Sequence, residues 1–408
     1  MSGQKSFTLI ELLIVIGILA VLVAAIVITL NPAQLLAQAR DSKRQQDLSA
    51  LNQALNTITT LDQSLFMGTS SIVYTSLPDS SSTCGSWGLP TLPSGWQYHC
   101  SPTSSLQSAT GTGWIPVNFK TTGVVSLSSL PTDPINASSS NLYYTYVSGG
   151  SFELTAAFES SKFKLGGDKD TVSTDGGSYP DLYEVGSNLS LAPLDYGDAS
   201  LVGYWPLNEG TGTIAYDRSG KGNNGIGGAN TPWAFGGSCE RSSGSCLIMN
   251  SYYVFTVQDT SSLDLPNTMT IAAWFKPITP PSAQMHPIQK WTSTIDANYV
   301  WYWQTNNLSF LDANLAGVWT GISSLGALMP SSGWHHIVFT YNGSVGISYL
   351  DGIPRYSTVV NPPIATNGAN LVFGRDVDAS AAIGLDDVRI YNRALSASEV
   401  SALYNATK

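Results

Sequence analysis

The chain has 408 residues, room for two or three domains, with 28 Asp and Glu against 18 Lys and Arg and a formal net charge of −10. That balance excludes a nucleic-acid binder, which needs a basic footprint. Only 11% of residues are charged and 10% aromatic, with 38 glycines and 21 prolines, as in a turn-rich extracellular β protein rather than a cytosolic enzyme. The first element, residues 7–30, reads FTLIELLIVIGILAVLVAAIVITL. Roughly two dozen residues free of Lys, Arg and Asp can cross a bilayer core as one helix. Glu11 is the only charge in it. A lone carboxylate in such a segment costs about 2.5 kcal/mol or more on insertion scales, so its default reading is functional. A secretory signal peptide would have a shorter apolar region and a small-x-small cleavage site.

A short basic leader, MSGQKS, then FTLIE, then an apolar helix resembles the class III signal of type IV pilins and of type II secretion pseudopilins. The resemblance implies that a prepilin peptidase cuts between Ser6 and Phe7 and methylates the new amine of Phe7. It also implies that Glu11 pairs with the terminal amine of a neighbouring pilin subunit, in a filament built on an inner-membrane assembly platform. The family usually has Gly or Ala before the Phe, where this chain has Ser6; its only leader glycine is Gly3. Leader orientation rests on the resemblance as well. Lys5 lies on one side of the segment and Arg40, Lys43 and Arg44 on the other, so counting basic residues does not decide it.

Asn31-Pro32 predicts a kink, since proline removes a backbone donor. The helix then resumes, with Leu48, Leu51, Leu55 and Ile58 forming one apolar stripe. Arg40, Asp41, Lys43, Arg44 and Asp47 read as a solvated helix face, local or intersubunit pairing being the alternative. From about residue 65 the signal changes to short strands: WIPVNF (residues 114–119), LYYTYV (142–147) and FELTAAF (152–158), the last two a hairpin around Gly149-Gly150. Residues 130–160 look like the C-terminal part of major pilins and major pseudopilins, some of which hold calcium nearby. Asp133 and Glu153 are the residues to consider, but no oxygen-rich loop of defined spacing is present. Residues 162–198, with GGDKD, TDGG and DYGD, read as a linker or an exposed extension of the head, and Asp168, Asp170 and Asp175 as a solvated loop.

The four cysteines follow the apolar segment as two local pairs, Cys84 with Cys100 and Cys239 with Cys246. An even count in an exported, loop-rich region reads as two disulfides, buried free thiols being the alternative. LVGYWPLNEGTGTIAYDRSGKGNNG near residue 201 and GLDDVRIYNRALSASEVSALYN near the end resemble the concanavalin A-like jelly rolls of the laminin G type. TMTIAAWFKP, SGWHHIVFTYNG and ISYLDGIPR between them read independently as strands and turns of a two-sheet sandwich, its terminal strands paired at the edge. In such domains calcium often sits between the opening and closing segments. Asp217, Asn223, Asn224, Asp386 and Asp387 match positions that supply its oxygens, the alternative for Asp217 and Asn223 being turn stabilisation.

Glycosidases of this shape carry Glu-x-Asp-x-x-Glu on one strand, and no such run occurs; Asp386-Asp387 are expected on opposite faces of a strand. His335 and His336 have no activated nucleophile beside them and read as structural, so no enzyme is expected. Trp291, Trp301, Tyr302, Trp303 and Trp319 could stack on a carbohydrate, though sandwich aromatics are more often core; alternation puts Tyr302 opposite Trp301 and Trp303.

The expectation is therefore an α+β chain: leader 1–6, transmembrane and assembly helix 7–30, amphipathic continuation 31–64, a small antiparallel pilin-like head with linker 65–199, and an all-β jelly-roll sandwich 200–408. It is expected to be single-pass in the membrane before assembly and on an extracellular pilus or the cell surface afterwards. There the sandwich would bind an extracellular glycan or protein. A type II secretion pseudopilin and an anchored lectin that never polymerises are the alternatives.

Overall fold

The computed structural model describes residues 8–62, 64–90, 92, 95–121, 123, 127–193, 197–228, 233–235, 239, 245–250, 255–279, 284–293, 296–304, 309–315, 318–326, 329–359, 364–376 and 381–408. Ser6 and Phe7 lie outside them. Helix α1, Leu9–Leu30, has 22 residues and α2, Pro32–Leu61, has 30. Between them Asn31 takes a left-handed conformation (φ 40°) and its side chain caps the Gln34 N–H, with Pro32 at the first helical position.

Five strands follow: β1 (Ile72–Pro78), β2 (Gln97–Ser101), β3 (Tyr144–Ser148), β4 (Phe152–Ala157) and β5 (Leu182–Gly186). They form one sheet in the order β2-β1-β3-β4-β5, antiparallel except for β1 with β2. Gly150 (φ 79°) makes the β3–β4 turn, a conformation that favours glycine. The stripe Leu48, Leu51, Leu55 and Ile58 is fully buried, in one core with Trp114, Tyr144, Tyr146 and Leu154. Two expectations change here, and one open alternative is decided. Residues 114–119 are not a strand: only Asn118 makes a β-bridge, to Thr110, and Pro116 has no N–H to donate to a ladder. Residues 162–198 extend the head, because β5 within them pairs with β4. The charged patch on α2 is not solvated: Arg44 and Asp41 are fully buried, Arg44 gripping Asp133 through two nitrogens (2.6 and 2.9 Å) and reaching Asp41 and Glu159 at 2.7 Å.

The remaining strands are β6 (Leu201–Trp205), β7 (Ile214–Ala215), β8 (Gly225–Gly227), β9 (Trp233–Phe235), β10 (Ser245–Asn250), β11 (Phe255–Val257), β12 (Met269–Thr279), β13 (Gln284–Ser293), β14 (Asp296–Gln304), β15 (Ser309–Leu315), β16 (Val318–Gly326), β17 (His335–Tyr341), β18 (Val345–Leu350), β19 (Ile353–Val359), β20 (Leu371–Asp376) and β21 (Ala382–Tyr391). One sheet runs β19-β18-β17-β12-β21-β10-β9, with β6 also on β21; the other runs β16-β15-β14-β13-β20-β11-β8-β7. The first and last strands do pair, but β21 is interior, flanked by β12. Trp205, Trp301, Trp303, Phe275 and Phe339 fill the space between the sheets. Both cysteine pairs, Cys84–Cys100 and Cys239–Cys246, are disulfides.

The outer face of the β12-containing sheet is packed as well. Ala272, Val338, Tyr349 and Tyr391 share a core with Val400 and Leu403 of α3 (Ala397–Thr407) and with Tyr179 and Leu182 of the head. Arg389 lies 3.8 Å over the Tyr204 ring, Arg218 donates to the Tyr179 hydroxyl (3.1 Å), and the Tyr391 hydroxyl donates to Asp181 (3.4 Å). Gly166 (φ 73°) lets the head approach α3, since a Cβ there would lie 2.5 Å from the Glu399 nitrogen.

Candidate functional site

Three places in the molecule bear on function. At the first, Thr8 caps α1 in a reciprocal box: the Glu11 N–H donates to the Thr8 hydroxyl (3.3 Å), while the Thr8 N–H and hydroxyl donate to the Glu11 carboxylate (2.8 Å each). Leu9, Ile10, Leu12, Leu13, Ile14, Val15 and Ile16 project outward around the helix, each more than half exposed. A helix apolar on every side is one that buries itself in something other than water. Among the described residues, however, no helix is long and apolar enough to cross a membrane.

The second place is the opening turn of the sandwich. Asp217 is buried, its Oδ1 accepting from the Tyr204 and Ser219 N–H groups (2.9 Å each) and its Oδ2 from the Asn223 N–H (2.8 Å). Asn224 Oδ1 accepts the Asp217 N–H (2.8 Å), and Asn223 Oδ1 accepts the Thr260 hydroxyl (2.8 Å) while its amide donates to the Val202 carbonyl and the Ser262 hydroxyl. These oxygens therefore face donors, whereas a cation needs them turned toward one empty centre. The set does not fit calcium as it stands; it fits the turn-stabilising alternative. Asp386 and Asp387 do not simply alternate: the pairing of β12 with β21 shifts register there, Asp387 sits at φ 50°, and Arg389 Nε donates to its carboxylate (3.1 Å). Among the described residues no group of three or more His, Cys, Asp or Glu is placed to hold a metal ion. Asp133 is taken by Arg44, and Glu153 accepts the Leu191 and Ala192 N–H groups (2.6 and 2.8 Å). His335 bonds Asp351 (2.9 Å), and His336 packs against Trp274, both as parts of the framework.

The third place is the outer face of the β13–β15 sheet, opposite the face covered by the head. Trp301 and Trp303 are fully buried between the sheets, and Tyr302 points the other way, half-buried. Register aligns one row across five strands: Val372, Gln289, Val300, Asp312 and Gly321. In the neighbouring row His286 lies edge-on to Tyr302 (4.6 Å between ring centroids) and to Trp291 (5.4 Å). His286 Nδ1 and Gln289 Oε1 are 2.7 Å apart, and the buried Gln289 amide nitrogen makes no hydrogen bond. Burial pushes the Asp312 carboxyl up to about 6, and burial and then Asp312 push the Tyr302 phenol up to about 12. Rings beside a carboxylate and an amide are the chemistry that recognises a hydroxylated ligand. The sequence points to Tyr302 and Trp291 but not to His286, Gln289 and Asp312, because the register shift between Met285 and Ile288 breaks the alternation that would have shown them on one face. The Trp319 side chain lies outside the described residues.

Residues 1–27 match the prokaryotic N-terminal methylation motif, and residues 250–401 match the concanavalin A-like lectin/glucanases superfamily. No curated protein matches the chain. Similar solved structures include the binding domain of Paraclostridial mosquitocidal protein 1 (19% identity, 50% of this chain and 52% of that one, TM-score 0.43). Another is the binding domain of botulinum neurotoxin DC in complex with SialylT (12%, 52% and 52%, 0.42). A third is domain 4 of AbnA, an extracellular arabinanase from Geobacillus stearothermophilus, in complex with arabinotriose (18%, 50% and 98%, 0.40). The chain spans about half the length of the first two. It thus joins, in one polypeptide, the N-terminal methylation motif of prokaryotic pilin-type signals to a laminin G-like domain of the concanavalin A-like superfamily.

Proposed function

We propose that this chain is a surface-displayed, pilin-like subunit whose sandwich binds an extracellular glycan or protein through the outer face that bears Tyr302, Gln289 and Asp312. Prepilin peptidase releases the leader before Phe7, α1 leaves the inner membrane for a filament of similar subunits, and Glu11 exchanges its Thr8 cap for a neighbour's amine. The observation that carries the reading is the opposition of two surfaces: an apolar helix with nothing of its own chain against its described side chains, and a sandwich with one outer face packed on the head and the other keeping Tyr302, Asp312 and Trp291 partly exposed around the buried Gln289. A pilus and a secretion pseudopilus share all of this.

The test has two arms. Mass spectrometry of sheared filaments or native membranes should find a peptide beginning at N-methylated Phe7, and Glu11→Val should abolish assembly; a mature protein still carrying residues 1–6 would overturn the pilin half. A glycan array and whole-cell binding, with and without calcium, should give signals that Tyr302→Ala removes. Binding that survives Tyr302→Ala would move the site elsewhere.

A further inference from the structure

Lys290, on β13, is fully buried, and its ammonium sits among five oxygens. Asp259 Oδ1 lies at 2.6 Å, the Asn367 and Ala369 carbonyls at 2.9 Å, Asp264 Oδ1 at 3.1 Å and Asn367 Oδ1 at 3.2 Å. An ammonium has three protons. The cage therefore holds more acceptors than its occupant has donors, and Asp264 Oδ1, buried, makes no hydrogen bond at all. Tyr299, the cross-strand neighbour of Lys290, also buries its hydroxyl without a hydrogen bond; burial, then the charges of Asp264 and Asp259, push its phenol up. Two carboxylates, two carbonyls and an amide oxygen converging on one point are a coordination sphere for a hard cation, not a fork shaped for three N–H bonds.

The segments that supply these oxygens lie after β11, after the short 3-10 turn Ser261–Leu263, and before β20. That same turn region reaches the Asp217 loop through Thr260 and Ser262 on Asn223. We propose that the sandwich carries its rim cation covalently: the Lys290 ammonium fills an oxygen cage that would otherwise take a divalent ion, so the loops at this rim are held without metal. This accounts for the misfit at Asp217, a few residues away along the same hydrogen-bonded rim. The charge needed to gather the loops is already supplied from β13.

The experiment compares thermal unfolding and calcium titration calorimetry of the full chain and of Lys290→Ala, each in EDTA and in millimolar calcium, magnesium or propylammonium. The wild type should melt at the same temperature throughout and bind no calcium at this rim. Lys290→Ala should melt ~10 °C lower in EDTA, recover at least half of that loss in calcium or propylammonium, and show a new saturable calcium site. Lys290→Met, which fills the space without charge, should stay low in every buffer. If Lys290→Ala does not fold in EDTA, its refolding yield in calcium gives the same reading. Asp264→Asn should melt close to the wild type, because the three protons already have acceptors, and combined with Lys290→Ala it should remove the calcium recovery. A Lys290→Ala protein as stable as the wild type, one that no cation restores, or an Asp264→Asn protein as damaged as Lys290→Ala would each overturn the proposal.

Discussion

The head buries the Arg44 cation completely and the sandwich that of Lys290, and they do it in opposite ways. Arg44 presents a planar fork whose N–H groups are matched by Asp133, Asp41 and Glu159. Lys290 presents a compact charge to more oxygens than it can bond. A guanidinium is held by a fixed planar fork of donors, and an ammonium by a compact charge with three rotatable donors. The first should be irreplaceable and the second exchangeable.

The largest expected effect tests the irreplaceable half. Arg44→Ala leaves Asp41 and Asp133 buried and unpaired, and should cost about 3–5 kcal/mol, read by denaturant unfolding followed through the head's Trp114. Arg44→Lys should recover little of it, and no added cation should recover any. Recovery by cations at Arg44 would erase the contrast with Lys290.

The junction between the domains sharpens the comparison by using a proton in place of a cation. Glu153 and Glu184 are both buried there, and burial raises both carboxyls. Beside them Asp175 accepts the Glu184 and Gly177 N–H groups (2.6 and 2.8 Å) and is pushed up to about 7, mainly by burial, with Glu153 and Asp170 adding to it. A carboxyl raised in the folded state binds its proton more tightly there than in the unfolded chain. Its stabilisation is thus present at low pH and is lost as pH rises from about 4 to about 7, at a rate of roughly 1.4 kcal/mol for each step of one in pH. Unfolding free energy should fall between pH 5 and pH 8, and Asp175→Asn should flatten that slope. His335 works in the same direction, because Asp351 raises it and its pairing weakens as it deprotonates. Unchanged slope in Asp175→Asn would remove the proton from the scheme.

The smallest effect concerns Asp312, whose carboxyl is raised by burial. If its carboxylate receives ligand hydroxyls, affinity should drop as pH falls below about 6, and Asp312→Asn should weaken binding about tenfold, roughly 1.4 kcal/mol, without the pH dependence. A binding assay run at pH 5 and pH 7.5 separates the two. Equal affinities at both would take Asp312 out of the contact.

Much of the molecule is legible in the sequence, where the signal is local. The stripe Leu48–Leu51–Leu55–Ile58, the break at Asn31-Pro32, the hairpin at Gly149-Gly150 and the short-range cysteine pairs each depend on residues a few positions apart. Even the Thr8–Glu11 box is a readable T-x-x-E, although Glu11 stands out first as a membrane charge. What cannot be read depends on register or on distant loops. Residues 114–119 have the residues of a strand but are pinned as a loop by bonds such as Trp114 Nε1 to the Pro131 carbonyl. Arg44 reads as solvated because Asp133 and Glu159 come from far along the chain. The Lys290 cage draws on residues 259, 264, 367 and 369, and no short-range pattern announces it.

The packing of the sandwich on the head has a mechanical consequence. Arg389 and Tyr391 on Asp181, Arg393 on Asp198 and Leu403 in the shared core all span the junction. A pull on something held at the far face would enter the head through all of them in parallel, as shear, before the connecting backbone came under tension. The grip would then be aimed as well as strong: each subunit would hold its catch at a fixed bearing to its stalk, and drag from flowing liquid would be resisted by the whole contact rather than taken up by a swivelling tether.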